Sequence, residues 1–241
     1  MDFSIQAVGD SALRVQFLEN VSPELNRTIT DFCKKLETFS DRGGIVEWVP
    51  AFDSVTIYYR PHVLLYREMY EKVLDLIAAS GKETATKSRV VHVPVVYGGN
   101  YGPDLQQVAD YHQLTIEEVI AIHQQPEYLI YMIGFLPGFP YLGGLDKKIA
   151  TPRLENPRPS IFAGAVGIAA EQTGIYPVES PGGWNIIGKT PLKLFDVERE
   201  EEPFLFQSGN YVKFYEVSEH EFTEIEKQVE SQSYSIQIST E

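Results

Sequence analysis

The sequence predicts an α+β protein in two parts, an N-terminal two-layer α/β domain followed by a closed β-barrel. Three observations carry this reading. Residues 3–96 run β-β-α-β-β-α-β, with amphipathic helices between short strands. Beyond Gln125 the strand-like pieces shorten and turn signals separate them. Ten of the 18 glycines fall between residues 134 and 188, a density that favours short barrel strands over the long strands of a sandwich. The expected divisions are 1–90 for the α/β domain, 91–127 for a Gly-rich loop with connecting helices, and 128–241 for the barrel and a C-terminal helix.

Each element has a local reason. Residues 3–8 form a strand, and Leu13, Val15 and Phe17 alternate with polar neighbours as a half-buried strand does. Ser22 caps a helix with Pro23 at its first position, and Leu25, Ile29, Phe32, Cys33 and Leu36 make its apolar face. Gly43 and Gly44 stop it. Strands at 45–49 and 55–59 precede a second amphipathic helix marked by Leu65, Met69, Val73, Leu76 and Ile77. Residues 81–88 are polar and read as a hinge before a strand at 90–96. Asp104 caps a helix through Ala109, and Thr115 with Glu118 makes a capping box for another through His123. In the barrel, strands are expected at 128–132, 161–163, 166–170, 192–195 and 211–215. Ser218 and Glu221 cap a last helix whose face is Phe222, Ile225 and Val229. The acidic run 198–202 reads as a solvated loop.

Composition bounds the function. Hydrophobic residues are 43% and charged residues 22%, ordinary for a soluble domain, while the formal net charge of -14 supplies no basic face for nucleic acid and disfavours anionic membranes. The single cysteine, Cys33, excludes an intramolecular disulfide. The N-terminus has neither a basic nor an apolar leader segment, and no stretch approaches the roughly 20 apolar residues of a membrane span. The expected location is the cytoplasm.

One motif misleads. Residues 183–190, from Gly183 to Thr190, satisfy the P-loop pattern G-x-x-x-x-G-K-[ST]. A P-loop needs a helix starting directly after the glycine loop to hold phosphates. Here Pro191 pushes Thr190 away from helical geometry, and 192–195 alternate like a strand. Lys189 nevertheless remains a cation for an anionic ligand. His62, His92, His112, His123 and His220 are scattered without metal-ligand spacing, so no metal site is expected. His123, at a helix end just before the barrel, is either a helix-end cation or a functional group.

The segment 133–196 carries the strongest signal. Residues 134–142 set bulky groups, Phe135 and Phe139 among them, between backbone-shaping glycines and prolines. Pro152-Arg153 and Pro157-Arg158 place two guanidinium groups on rigid turns, suited to clamp a carboxylate or phosphate or simply to sit at the surface. Gln172, Thr173 and Tyr176 supply an amide, a hydroxyl and a phenol within five positions, and Trp184 ends a tight turn. Together they make an apolar-walled pocket with a few polar groups, or a barrel core with ordinary turns. The aromatics Phe135, Phe139, Tyr176 and Trp184 lie in turn-rich stretches. They either reach the surface as a partner-binding patch, with Arg153 and Arg158 beside them, or fill the barrel core.

Three stretches, "PVVYGGNYGPDL" at 94–105, "GFLPGFPYLGGL" at 134–145 and "TPRLENPRPSIFAGAVGIAAEQTGIYPVESPGGWNIIGKTPLKLFD" at 151–196, make the sequence similar to the KipI/PxpB family, also called allophanate hydrolase subunit 1. The resemblance spans nearly the whole chain. It implies an N-terminal α/β domain and a cyclophilin-like β-barrel. It also implies the PxpB component of a three-part 5-oxoprolinase, which uses ATP in the assembled complex to open 5-oxoproline to glutamate. The implied partners are a KipA-type component and a LamB/YcsF-type component. The alternative role within the family is a regulator that binds a sporulation histidine kinase and blocks its autophosphorylation. A lactam is a poor electrophile, so activation by phosphorylation needs cations against developing negative charge and exclusion of water. Arg153, Arg158 and Lys189 are the cationic candidates, and Gln172, Thr173 and Tyr176 the orienting ones. Many family members have Arg where this chain has Lys189, which puts a point charge in place of a fork.

Overall fold

The computed structural model describes residues 2–40, 43–80, 88–199 and 202–240. Most of the expected hinge at 81–88 and two residues of the acidic run at 198–202 lie outside the described residues. The chain divides into two compact units, Met1–Thr86 and Lys87–Glu241.

The first unit contains β1 (Phe3–Val8), β2 (Ala12–Phe17), α1 (Pro23–Ser40), β3 (Ile45–Pro50), β4 (Ser54–Tyr59) and α2 (Tyr66–Ala79). Its strands form one antiparallel sheet in the order β1-β2-β4-β3. Alternation explains its layering. Leu13, Val15 and Phe17 of β2 and Val55, Ile57 and Tyr59 of β4 are buried against Leu25, Ile29, Phe32 and Leu36 of α1 and Met69, Val73 and Ile77 of α2. The alternate residues Arg14 and Thr56 lie on the other face, where the Arg14 Nε donates to Thr56 Oγ1 at 3.3 Å. The Ser22 hydroxyl accepts from the Leu25 N–H at 3.2 Å and so caps α1 as expected.

The second unit contains β5 (Arg89–Tyr97), α3 (Leu105–His112), α4 (Ile116–Gln124), β6 (Tyr128–Ile133), β7 (Pro140–Gly143), β8 (Arg158–Ile161), β9 (Ala165–Ala169), β10 (Gln172–Ile175), β11 (Ser180–Gly182), β12 (Asn185–Lys189), β13 (Tyr211–Glu216), α5 (Glu219–Glu230) and β14 (Ile238–Thr240). The main sheet runs β12-β9-β10-β7-β6-β13-β5-β14. It closes on itself because β12 returns to β5, at Gly188↔Tyr97 and Lys189↔Val96. The result is a seven-stranded barrel, with β14 on the same edge of β5 further along. At the closure a Cβ on Gly188 would lie 2.6 Å from Val95 Cγ1 and 2.7 Å from the Val96 carbonyl oxygen, so only glycine lets the two strands meet. β5 and β13 are parallel, from Tyr211↔Val90 to Glu216↔Val95. β8 and β11 pair separately.

The barrel interior and the inner faces of α3 and α4 share one core, with Val93, Val95, Ile130, Val166, Ile168, Ile187 and Phe214 beside Val108, Ala109 and Val119. The expected capping boxes are present at Thr115–Glu118 and Ser218–Glu221. Three local readings change. The strand expected at 90–96 is an integral barrel strand rather than the last piece of the first layer. Residues 192–195 alternate in character but form no strand; Phe195 makes only an isolated bridge to Phe204. The strand in that neighbourhood is β12 itself, which occupies the false P-loop, and no helix follows it. No described helix is long and apolar enough to cross a membrane.

Candidate functional site

The expected site residues separate into four environments, and the chemistry of each follows from what its polar atoms meet.

His123 and Thr173 come together inside the barrel. Both are fully buried. The Thr173 hydroxyl donates to the Gly167 carbonyl at 3.0 Å and therefore accepts from His123 Nε2–H at 2.9 Å. Nδ1 then carries the lone pair and accepts from the Tyr97 hydroxyl at 2.8 Å. The imidazole also stacks on Phe214 at 4.6 Å, and the Tyr128 hydroxyl donates to the His123 carbonyl at 2.7 Å. Burial pushes the imidazole down to about 3, so it stays neutral at ordinary pH. His123 is thus neither a helix-end cation nor a solvent-reaching base. It is one link in a closed relay that ties α4 to β5 and β10. Gln172, next to Thr173, is half-buried at the start of β10 and outside this relay.

The aromatics divide. Phe139, Tyr176 and Trp184 are buried and meet edge to face, Phe139 at 5.3 Å from Tyr176 and 5.4 Å from Trp184. For these three the surface reading is corrected: they fill a second core with Ile161, Ala165, Ala169 and Ile186. The glycines around them make room for rings. A Cβ on Gly182 would collide with the Tyr176 hydroxyl, and one on Gly174 would lie 3.0 Å from Trp184 Cζ3. Burial pushes the Tyr176 phenol up to about 12, against the lowering influence of the Trp184 backbone and the Arg153 and Arg158 charges. Phe135 alone is exposed, at 65%, with its ring edge-on to Phe139 at 5.7 Å. Its φ of +68° is a strained conformation for a bulky side chain.

Arg158 and Lys189 are already engaged. The Arg158 guanidinium grips Asp104 in a fork, Nη1 to Oδ2 at 2.9 Å and Nη2 to Oδ1 at 2.5 Å. Asp104 Oδ2 also accepts from the Ile186 N–H at 2.6 Å. Asp104 stands at the N-terminus of α3 but makes no side-chain cap there, which corrects the expected capping role. Its carboxylate joins α3, β8 and β12 instead. Lys189 lies 3.6 Å from Glu226 and over the rings of Phe222 and Phe162, at 5.2 and 5.9 Å. It anchors α5 rather than a phosphate loop.

Arg153 differs. It is exposed, and among the described residues it takes part in no ion pair. It lines an open depression of about 530 Å³ walled by Gln107 and Tyr111 of α3, segment 151–156, and Asn185 of β12. The volume is that of a small-molecule site. Of the sequence candidates, only Arg153 contributes to it. Asn185 and Tyr111 were missed, because an amide in a glycine-rich stretch and a tyrosine on a helix face carry no motif. The two-arginine clamp does not form, since Arg158 is taken by Asp104.

The family model described as carboxyltransferase domain, subdomain C and D, matches residues 3–206. The 5-oxoprolinase B-subunit of Bacillus subtilis (strain 168) is 41% identical over 230 residues, covering 91% of this chain and 95% of that protein. A solved structure titled TTHA0988 is 37% identical with a TM-score of 0.75; the match covers 86% of this chain, which spans only 40% of that longer one. The K. lactis urea amidolyase structure matches 99% of this chain at a TM-score of 0.82, over 16% of its own length; at 18% identity that likeness concerns the fold alone.

Proposed function

The chain belongs to the carboxyltransferase domain, subdomain C and D, family, and from that premise we propose that it works as the PxpB-type component of a multi-subunit, ATP-dependent 5-oxoprolinase that opens 5-oxoproline to glutamate. The observation that carries this is the 41% identity to a protein named as the B-subunit of 5-oxoprolinase, with both chains covered almost end to end. The partners are a KipA-type component and a LamB/YcsF-type component, and ATP is consumed by the assembled complex.

The environments above support a partial role. Ring opening of a lactam needs an activated carbonyl and an attacking water. The barrel's inward histidine is sealed and neutral, and burial holds the Cys33 thiol up at about 12, so neither serves as base or nucleophile. What this chain offers is an open depression with a cation that makes no ion pair among the described residues, suited to hold and orient a substrate while partner groups supply the chemistry. The match to only part of the longer TTHA0988 chain is in keeping with a domain that works beside others.

Reconstitution tests this. The purified chain alone releases no glutamate from 5-oxoproline, with or without ATP; adding the KipA-type and LamB/YcsF-type partners restores ATP-dependent release. Lys189→Ala leaves nucleotide use by the assembly intact, because no helix follows β12 to make a phosphate loop. Turnover by the single chain, or loss of ATP hydrolysis in a folded Lys189→Ala assembly, overturns the proposal.

A further inference from the structure

We infer that the depression beside Arg153 binds a small carboxylate bearing an adjacent N–H, with the carboxylate on the Arg153 guanidinium and the N–H donated to Asn185 Oδ1. Taken with the function proposed above, on which this identification rests, the ligand is the lactam acid 5-oxoproline.

The inference starts from an unmatched pair of groups. Asn185 is 1% exposed, and its Nδ2 donates to the Pro152 carbonyl at 2.8 Å and the Ile168 carbonyl at 3.3 Å. Two carbonyls on one side fix the amide, because the flipped form would set oxygen against oxygen. Oδ1 is therefore the other arm, and it is buried with no donor among the described residues. A buried acceptor left unmatched is uncommon, and Asn185, unlike Thr30 and Ser180, whose hydroxyls are also unmatched among the described residues, lines an open depression from which a donor can come. Arg153 supplies the complementary group, an exposed cation that makes no ion pair among the described residues. Its field reaches the phenols of Tyr141 and Tyr176, lowering both against the upward push of burial.

The two groups share one frame. The Leu154 N–H donates to the Gly183 carbonyl at 2.8 Å, and the Pro152 carbonyl takes the Asn185 amide. Segment 152–154 is thus pinned at both ends to the stretch that carries Asn185, with Arg153 between the pins. The backbone that carries Arg153 and the amide of Asn185 are held in one frame, part of the preorganisation a small ligand requires. Tyr111, 60% exposed, and Leu154 give the depression apolar wall for a ring's methylenes.

Charge narrows the class. Glu155 lines the same depression, so its wall carries one cation and one carboxylate. A triphosphate would find no surplus of positive charge here, whereas a singly charged acid with a hydrogen-bond donor needs only one cation and one acceptor. A lactam acid has this pattern, its ring N–H one atom from the carbon that carries the carboxylate.

Calorimetric titration of the full chain with 5-oxoproline, 2-pyrrolidinone and N-methyl-5-oxoproline reads each contact from the ligand side, without disturbing the buried Asn185. The expected result is saturable binding of 5-oxoproline. Loss of the carboxylate, loss of the N–H, and Arg153→Gln each weaken it by at least about tenfold, with the melting temperature of Arg153→Gln unchanged. Absence of saturable binding, equal binding of the N-methyl ligand, or equal binding by Arg153→Gln overturns the site. The assembled enzyme separates this from the parent reading. Wild-type turnover of 5-oxoproline with an unchanged KM in the Arg153→Gln assembly sinks the site and leaves the function standing. A wild-type assembly that never turns over 5-oxoproline sinks the function, and the three-ligand comparison on the single chain still decides the site.

Discussion

Two arginines five residues apart, Arg153 and Arg158, each follow a proline and have opposite fates. Arg158 closes a fork on a buried carboxylate whose second oxygen also takes a backbone N–H. Arg153 faces an open depression with no ion-pair partner in it among the described residues. The same division separates the barrel interior, where the polar atoms of His123 and Thr173 are matched, from the depression, where Asn185 Oδ1 is not. In this pair of regions the matched polar groups hold the fold, and Asn185 Oδ1, on the wall of the depression, is left without a donor among the described residues.

Breaking the matched side has the largest effect. Arg158→Ala leaves Asp104 buried with one backbone donor, and chemical denaturation is expected to show a loss of about 3 kcal/mol, tempered by the part-exposure of the guanidinium. A loss below about 0.5 kcal/mol would make the pair an ornament of the surface.

The histidine relay sharpens the comparison through pH. The folded imidazole is held at about 3 and the unfolded one near 6.5. The unfolded state therefore binds the extra proton between these values. Stability is full above about 6.5 and falls as pH drops toward 3, by about 2 kcal/mol between pH 7 and pH 5 from this group. Denaturation midpoints of wild type and His123→Gln across that range measure it; equal slopes would mean that the imidazole is not sealed.

The unmatched side has the smallest effect. Arg153→Gln is expected to change stability by less than about 0.5 kcal/mol, because nothing in the described fold leans on its charge. A larger loss in the same denaturation measurement would place Arg153 with Arg158 and erase the distinction.

The legibility of the chain followed the same line. Elements governed by local rules were readable: α1 and α2 from 3.6-residue periodicity, the caps at Ser22, Thr115 and Ser218, and β2 from alternation. Elements governed by distant partners were not. β7, β10, β11 and β12 are three to five residues long, too short for a period to declare itself, and the 192–195 alternation was decided by loop packing instead. Turn-like composition also misdirected the aromatics. Gly174 and Gly182 mark space filled by the rings of Trp184 and Tyr176 rather than exposed bends, so only Phe135 of the four reaches solvent. Of the candidate site, Arg153 was readable as a cation on a rigid turn. Its lack of a partner was not, since that depends on Asp104 choosing Arg158 from 54 residues away.

The parallel pairing of β5 with β13 has a consequence for biogenesis. β5 leaves the ribosome early, with Val90, Val91, Val93, Val95 and Val96 all destined for burial. Its partners β12 and β13 follow roughly 90 and 120 residues later, an interval of about ten seconds at common elongation rates. Through that interval β5 is an apolar strand with both edges open, the profile of a sticky segment. Pro94, at its centre, has no N–H to offer a stray neighbour and interrupts any ladder built on the nascent chain. In the finished barrel Pro94 sits opposite Tyr215 in the parallel register. A residue with no N–H to give the closed ring's hydrogen bonding thereby guards the strand on which the ring closes.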